Sequence, residues 1–405
     1  MPLRLHDTLS DAIRPVRARP GHPMTLYVCG PTVYAPPHVG HARTYLEFDL
    51  VRRALEAGGR RVRHVMNITD FEDKIDVRAA QLGLTWRALA RREERRFDRA
   101  LRALGVLPPH VEPRASEFVA PMIEVGRRLE RTGRVRRDGD SWIYTPPERP
   151  RGANFVQWAD LADHAVEERT HPFPTGPGVA SEFVLWKRQG PPRPAWPSPW
   201  GRGSPGWHLE CYAMARRYLG IPTGVCGGGR DLIFPHHFAG NEIALALDRR
   251  PFARLFVHTG FVLQNGRKMS KSTGNLTSVA EALELASAAA LRWYLVRRPY
   301  SERVEWDVRE LGRSAATLDR IRRTVRRWLG RGAGGRRGAT DARALAAGVR
   351  ADLAANLATH RALHRIERWT EGLARDATGR VARGEAPAAR RAFAEVEARL
   401  GLPLT

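Results

Sequence analysis

The chain has 405 residues, enough for one sizeable core with smaller units appended, and its 67 lysines and arginines against 43 aspartates and glutamates give a formal charge of +24 and a sequence pI near 11.2. That balance fits a polyanionic partner such as nucleic acid, although arginine is dispersed along the whole chain, as a genome bias would also leave it. Three cysteines, Cys29, Cys211 and Cys226, are too few for a disulfide framework; there is no apolar secretory leader and no membrane-spanning run, so a reducing, cytoplasmic setting is expected.

Residues 1–23 read as a polar lead-in with one strand at 3–5. From there apolar spacing predicts a strand over 25–28, a helix over 42–57, a strand over 61–66, and helices over 73–81 and 86–104. This alternation predicts an α/β fold with a parallel, doubly wound, Rossmann-like sheet. Ligands of such sheets sit beyond the carboxyl ends of the strands, where Cys29-Gly30 and the run Asn67 to Asp70 fall. Between the first strand and its helix lie Gly30-Pro31 and Pro36-Pro37-His38-Val39-Gly40-His41. Helix N-termini carry unpaired N–H groups and partial positive charge, so phosphate binds there, and His38 and His41, about one turn apart, can face the same phosphate.

Composition changes over 108–205, with a helix at 118–131, a short strand at 142–144 and many prolines. Its own apolar residues, Phe155, Trp158, Phe183, Leu185 and Trp186, mark it as an insertion between two halves of the sheet domain rather than a linker. The alternation resumes with a helix at 208–219, the run Cys226 to His237, a helix at 241–247, a strand at 255–258 and a loop carrying Lys268 and Lys271. The expected boundaries are 1–107 and 206–277 for the two halves of the catalytic domain, with 108–205 as the insertion. A helical region follows at 278–329, then a glycine-rich linker at 330–338 and a bundle of about three helices at 339–405.

Ordered along the chain are Cys29-Gly-Pro-Thr-Val-Tyr34, Pro37-His-Val-Gly-His41, Asn67-Ile-Thr-Asp70, Leu185-Trp-Lys187, Pro205-Gly-Trp-His-Leu-Glu-Cys211, Gly227-Gly-Gly-Arg-Asp-Leu-Ile-Phe-Pro-His-His237 and Lys268-Met-Ser-Lys-Ser272. In these the chain resembles class I aminoacyl-tRNA synthetases, specifically the cysteine–tRNA ligase family, from about Leu3 to Leu402. The resemblance implies activation of L-cysteine with ATP and Mg²⁺ to cysteinyl adenylate, followed by transfer to the acceptor end of tRNA by a monomeric enzyme. A shorter relative, the mycothiol cysteine ligase, transfers cysteine to an amino sugar; since this chain ends where the anticodon-contacting segment of the tRNA ligases begins, a small amine is the alternative acceptor. Gly30-Pro31-Thr32-Val33 and Asp73-Lys74-Ile75 read like the tRNA ligase.

Carboxylate activation builds negative charge on the α-phosphate, which calls for preorganised donors, His38 and His41. Departing pyrophosphate calls for cations on a mobile loop, Lys268 and Lys271, with Gly266 and Gly274 as hinges. By the resemblance Gly228, Gly229 and Asp231 join these four in ATP binding, and Thr32 and Trp207 line the cysteine pocket. Cysteine and serine differ little in shape, and a soft zinc ion separates them because it prefers thiolate to hydroxyl. Cys29, Cys211 and His236 match the zinc ligands of the family, one zinc per chain. The family's His-His-Glu-Asn-Glu-Ile is replaced by His236-His237-Phe238-Ala239-Gly240-Asn241-Glu242-Ile243, so the fourth ligand is Glu242 after a two-residue shift, or no protein residue. Cys226 stands where the family has histidine.

Overall fold

Met24–Val28 and Val62–Met66 are short, almost wholly buried runs of the kind that suit strands covered on both faces. They pair in parallel in a computed structural model that describes residues 2–147, 182–269, 275–330, 338–375 and 384–405. Phe155, Trp158, Lys271, Gly274 and residues 331–337 lie outside the described residues.

The central sheet has the order Phe256–Thr259, Val225–Gly229, Met24–Val28, Val62–Met66, and every pairing is parallel. Helix Val39–Ala57 crosses from Met24–Val28 to its outer neighbour, and helix Phe238–Asp248 does the same for the other pair. The two halves therefore start at the middle of the sheet and wind outward in opposite directions. At this switch point the loops leaving the two central strands diverge and open a crevice at their carboxyl ends. The Cys29 N–H donates to the Gly227 carbonyl at 2.9 Å and locks the strands together beneath it. The doubly wound α/β fold expected from the alternation is the fold observed.

A second sheet, antiparallel, joins Val135–Asp138, Ser141–Tyr144, Phe183–Arg188 and Gly203–Pro205. Tyr144, Phe183, Leu185, Trp186 and Trp200 from this region share one buried cluster with Tyr27, Cys29 and Cys211, so it packs against the sheet beside the crevice.

Two helices begin earlier than the apolar spacing predicts. The first starts at Val39 rather than 42, because His38 supplies the N-cap. The other starts at Phe238 rather than 241, and Phe238, Ala239 and Gly240, which read as a gap, are helical and buried. After helix Val308–Trp328 come Ala339–Ala354, Thr359–Arg375 and Ala386–Leu400. The last of these is tied to helix Val39–Ala57: Arg292, buried beside Asp49, donates to the Leu400 carbonyl at 2.6 Å, and Arg53 donates to that of Ala398 at 3.1 Å. Among the described residues no helix is long and apolar enough to cross a membrane.

Candidate active site at the switch point

Strand Met24–Val28 delivers the chain to Cys29 and Gly30. A Cβ on Gly30 would lie 1.5 Å from the Asn67 carbonyl oxygen, so only glycine permits this approach. The Asn67 side-chain oxygen accepts from the Gly30 N–H at 2.9 Å and from the Tyr27 hydroxyl at 3.2 Å, which pins the loop to the end of the neighbouring strand.

His38 and His41 form a reciprocal capping box on helix Val39–Ala57. His38 Nδ1 accepts from the Gly40 N–H at 3.1 Å, and His41 Nδ1 accepts from the His38 N–H at 3.4 Å. A neutral imidazole carries one N–H, so accepting at Nδ1 leaves the proton on Nε2 in both rings. The rings stack with centroids 3.8 Å apart. Two Nε2–H donors thus stand together at a helix N-terminus, an arrangement suited to a phosphate.

Lys268 reaches this end of the sheet from a hairpin, Val262–Gln264 with Arg267–Lys268. Its Nζ lies 3.6 Å from Asp231 and 4.3 Å from the centre of the Phe261 ring. The segment beyond the lysine loop returns to the capped helix, since Ser278 bridges His38 and the Val39 N–H donates to the Thr277 carbonyl at 3.0 Å. Gly228 and Gly229 close strand Val225–Gly229 rather than forming a turn. A Cβ on Gly228 would meet Leu232 at 2.6 Å, and one on Gly229 would meet Asp231 at 2.5 Å, so their smallness makes room for protein side chains in the crevice wall.

On the other side of the same strand ends the thiols gather. Cys29 Sγ is 3.4 Å from Cys211 Sγ, and Cys211 Sγ is 3.0 Å from His236 Nε2. The ligand atoms of Cys29, Cys211 and His236 lie within 4.8 Å of one another, and all three residues are buried. Trp207 stacks on His236 at 4.1 Å and fixes its ring plane. Behind the histidine, His208 Nδ1 sits 3.3 Å from His236 Nδ1, and burial pushes its pKa down to about 4, so it is neutral. Burial also pushes the Cys29 and Cys211 thiols well above their usual range. They stay protonated unless a cation compensates, and two soft sulfurs with an imidazole are the donor set zinc takes. The residues fit the ion. Glu242 is buried on helix Phe238–Asp248 but belongs to neither of the close Cys/His groups found among the described residues.

The second such group is Cys29, Cys226 and His237. Sequence reasoning singled out Cys226 only as a replacement and passed over His237 and His258; the doublet His236-His237 was the available signal. It also passed over Glu210, a buried carboxyl that accepts from the Thr69 hydroxyl at 2.6 Å. Thr32 is half-buried and bridges Thr69 through the backbone.

A doubly wound sheet with a histidine-capped helix at its switch point and a lysine facing it defines a nucleotide-handling domain. The family model described as tRNA synthetases class I (C) catalytic domain matches residues 16–316, and the chain belongs to that family of ATP-using ligases, which charge tRNA with an amino acid. Solved structures agree on the fold. A Mycobacterium tuberculosis methionyl-tRNA synthetase in complex with methionyl-adenylate superposes with a TM-score of 0.64 at 17% identity, over 93% of this chain and 89% of that one. A LeuRS–tRNA–LeuAMS complex from Agrobacterium radiobacter K84 gives 0.68 at 13% identity, over 95% of this chain and 84% of that one.

Proposed function

We propose that the amino acid activated is L-cysteine and that the acceptor is the 3′ end of tRNA. The observation that carries this reading is the buried group Cys29, Cys211 and His236 in the same crevice as the stacked His38–His41 pair. A zinc ion held by those three residues, with Glu242 or no further protein ligand, would offer a position that takes thiolate in preference to hydroxyl. Trp207 keeps His236 in orientation by stacking, and with Thr32 bounds the side-chain pocket. A cysteine carboxylate oxygen attacks the α-phosphorus of ATP, the bond to the bridging β-phosphate oxygen breaks, and pyrophosphate with its Mg²⁺ departs. The Nε2–H groups of His38 and His41 donate to the phosphate oxygens as charge builds there. Lys268 and Lys271 supply cations to the leaving pyrophosphate, and Asp231 holds Lys268 in reserve through their ion pair. Gly228 and Gly229, with the Leu232 and Asp231 side chains packed against them, form the crevice wall on the nucleoside side.

The test is amino-acid-dependent exchange of labelled pyrophosphate into ATP, run with cysteine, serine and methionine. Exchange is expected with cysteine only, and Cys211→Ser is expected to lower it by about 10²-fold or more while the chain stays folded. Exchange supported by serine or methionine instead would overturn the amino-acid assignment. Transfer of cysteine to an amino sugar but not to tRNA would overturn the acceptor.

A further inference from the structure

Beside the group Cys29, Cys211 and His236 stands the second one, Cys29, Cys226 and His237, also buried and with its ligand atoms likewise within 4.8 Å of one another. Only Cys29 belongs to both. The two histidines are seated alike. Each presents Nε2 to sulfur: His236 to Cys211 at 3.0 Å, and His237 to Cys29 at 3.1 Å and to Cys226 at 3.8 Å. Each is backed at Nδ1 by another buried histidine, His208 at 3.3 Å and His258 at 2.7 Å respectively. The second chain continues, because His258 Nδ1 lies 2.8 Å from the Thr8 hydroxyl. With Thr8 accepting from His258 Nδ1–H and His258 Nε2 accepting from His237 Nδ1–H, His237 Nε2 keeps a lone pair aimed between two sulfurs. An outer partner that fixes the tautomer and ring plane in this way is what a metal-bound imidazole requires. A hydrogen-bonded core would need only one such ring, and thiols are poor donors to it.

We propose that the chain holds a second soft divalent ion, of zinc type, at Cys29, Cys226 and His237, with the Cys29 thiolate bridging it to the ion at Cys29, Cys211 and His236. The inference rests on the zinc reading of the first group. Each ion takes its cysteines as thiolates, and each cysteine proton displaced goes to solvent. The first ion is the one that takes the substrate thiolate. The second lies toward strands Val225–Gly229 and Phe256–Thr259, which supply Cys226 and His258, and serves to hold Cys29 in place.

The full chain, titrated with zinc and freed of loose metal, is to be analysed by native mass spectrometry and by cadmium-113 NMR after exchange. Two ions and two cadmium resonances are expected for the wild type, and one of each for Cys226→Ser and for Cys211→Ser. The wild-type count does not depend on any variant folding, and His237→Gln serves as a second probe of the same group. One ion in the wild type, lost in Cys211→Ser and kept in Cys226→Ser, overturns the second site and leaves the first. One ion lost in Cys226→Ser and kept in Cys211→Ser overturns the bridged pair and the first-site reading together.

Discussion

His38 acts twice, as the cap of helix Val39–Ala57 and as one of the paired Nε2–H donors. The roles can be separated, because asparagine is itself a strong N-cap but places no donor at the imidazole Nε2 position. His38→Asn is therefore expected to keep thermal stability within about 1 kcal/mol of the parent while lowering single-turnover adenylate formation by about 10²-fold. Equal formation rates would remove His38 from the reaction. A second residue-scale expectation concerns His64, on strand Val62–Met66 and away from the crevice. Burial, helped by the Arg52 charge, pushes its pKa down to about 3, and neither ring nitrogen has a hydrogen-bond partner among the described residues. The unfolded chain takes up this proton near pH 6.5 and the folded chain does not. His64 therefore lowers stability progressively as pH falls below about 6.5, by up to about 1.4 kcal/mol per pH unit. Glu47, which burial holds protonated up to about pH 8, works in the opposite sense, stabilising at low pH and costing stability as pH rises from about 4.5 to 8. Urea titrations of wild type and His64→Met between pH 4 and 7 isolate the histidine by difference. Parallel curves would show that His64 titrates equally in both states.

At the scale of elements, the buried Arg292–Asp49 pair joins helix Ala288–Leu295 to helix Val39–Ala57, whose N-terminus carries the histidines. Arg292 is almost fully buried and also donates to the carbonyls of Leu400 and Leu104, at 2.6 and 3.4 Å. Removing one member of such a pair leaves an uncompensated buried charge, although Arg53, 2.8 Å from Asp49, softens the loss. Arg292→Met is expected to cost about 3 kcal/mol or more in denaturant unfolding, and a cost below about 1 kcal/mol would show that Arg53 suffices. The same pair shows where apolar spacing stops being informative. Helix Val39–Ala57 was legible from residue 42 onward, but nothing in the spacing marks Arg43, Glu47 and Asp49 as buried, since charged residues in a helix ordinarily face water.

Across the whole molecule the charge of +24 is distributed unevenly in its use. On helix Val308–Trp328 Leu311, Leu318, Ile321, Val325 and Trp328, at helical spacing, are buried, and Arg320, Arg323, Arg326 and Arg327 are exposed. Arg322 is drawn in, donating to the Pro403 carbonyl at 3.0 Å, and Arg326 reaches Thr405 at 3.4 Å. Arg323 and Arg327 are thus the members to test for phosphate contact. Arg323→Ala combined with Arg327→Ala is expected to leave pyrophosphate exchange unchanged and to weaken tRNA binding about tenfold at low salt. The slope of log affinity against log salt should become shallower by about 1 to 2. An unchanged salt slope would assign these arginines to solvent alone.

Local sequence determined the strand–helix alternation of the doubly wound sheet and the last three helices, because period acts over a few residues, whereas the close approach of Gly30 to Asn67 and the start of the first helix at its His38 cap emerged only with the fold. The sequence also marked Cys29, Cys211 and His236, though only through ordered motifs. Tertiary structure alone decided that Cys226 and His237 join Cys29, that Trp207 stacks on His236 and that Asp231 meets Lys268. Those contacts lie between strand ends and helices brought together by the opposite winding of the two halves. A separation such as that between Cys29 and Cys211 carries no period for a sequence to display.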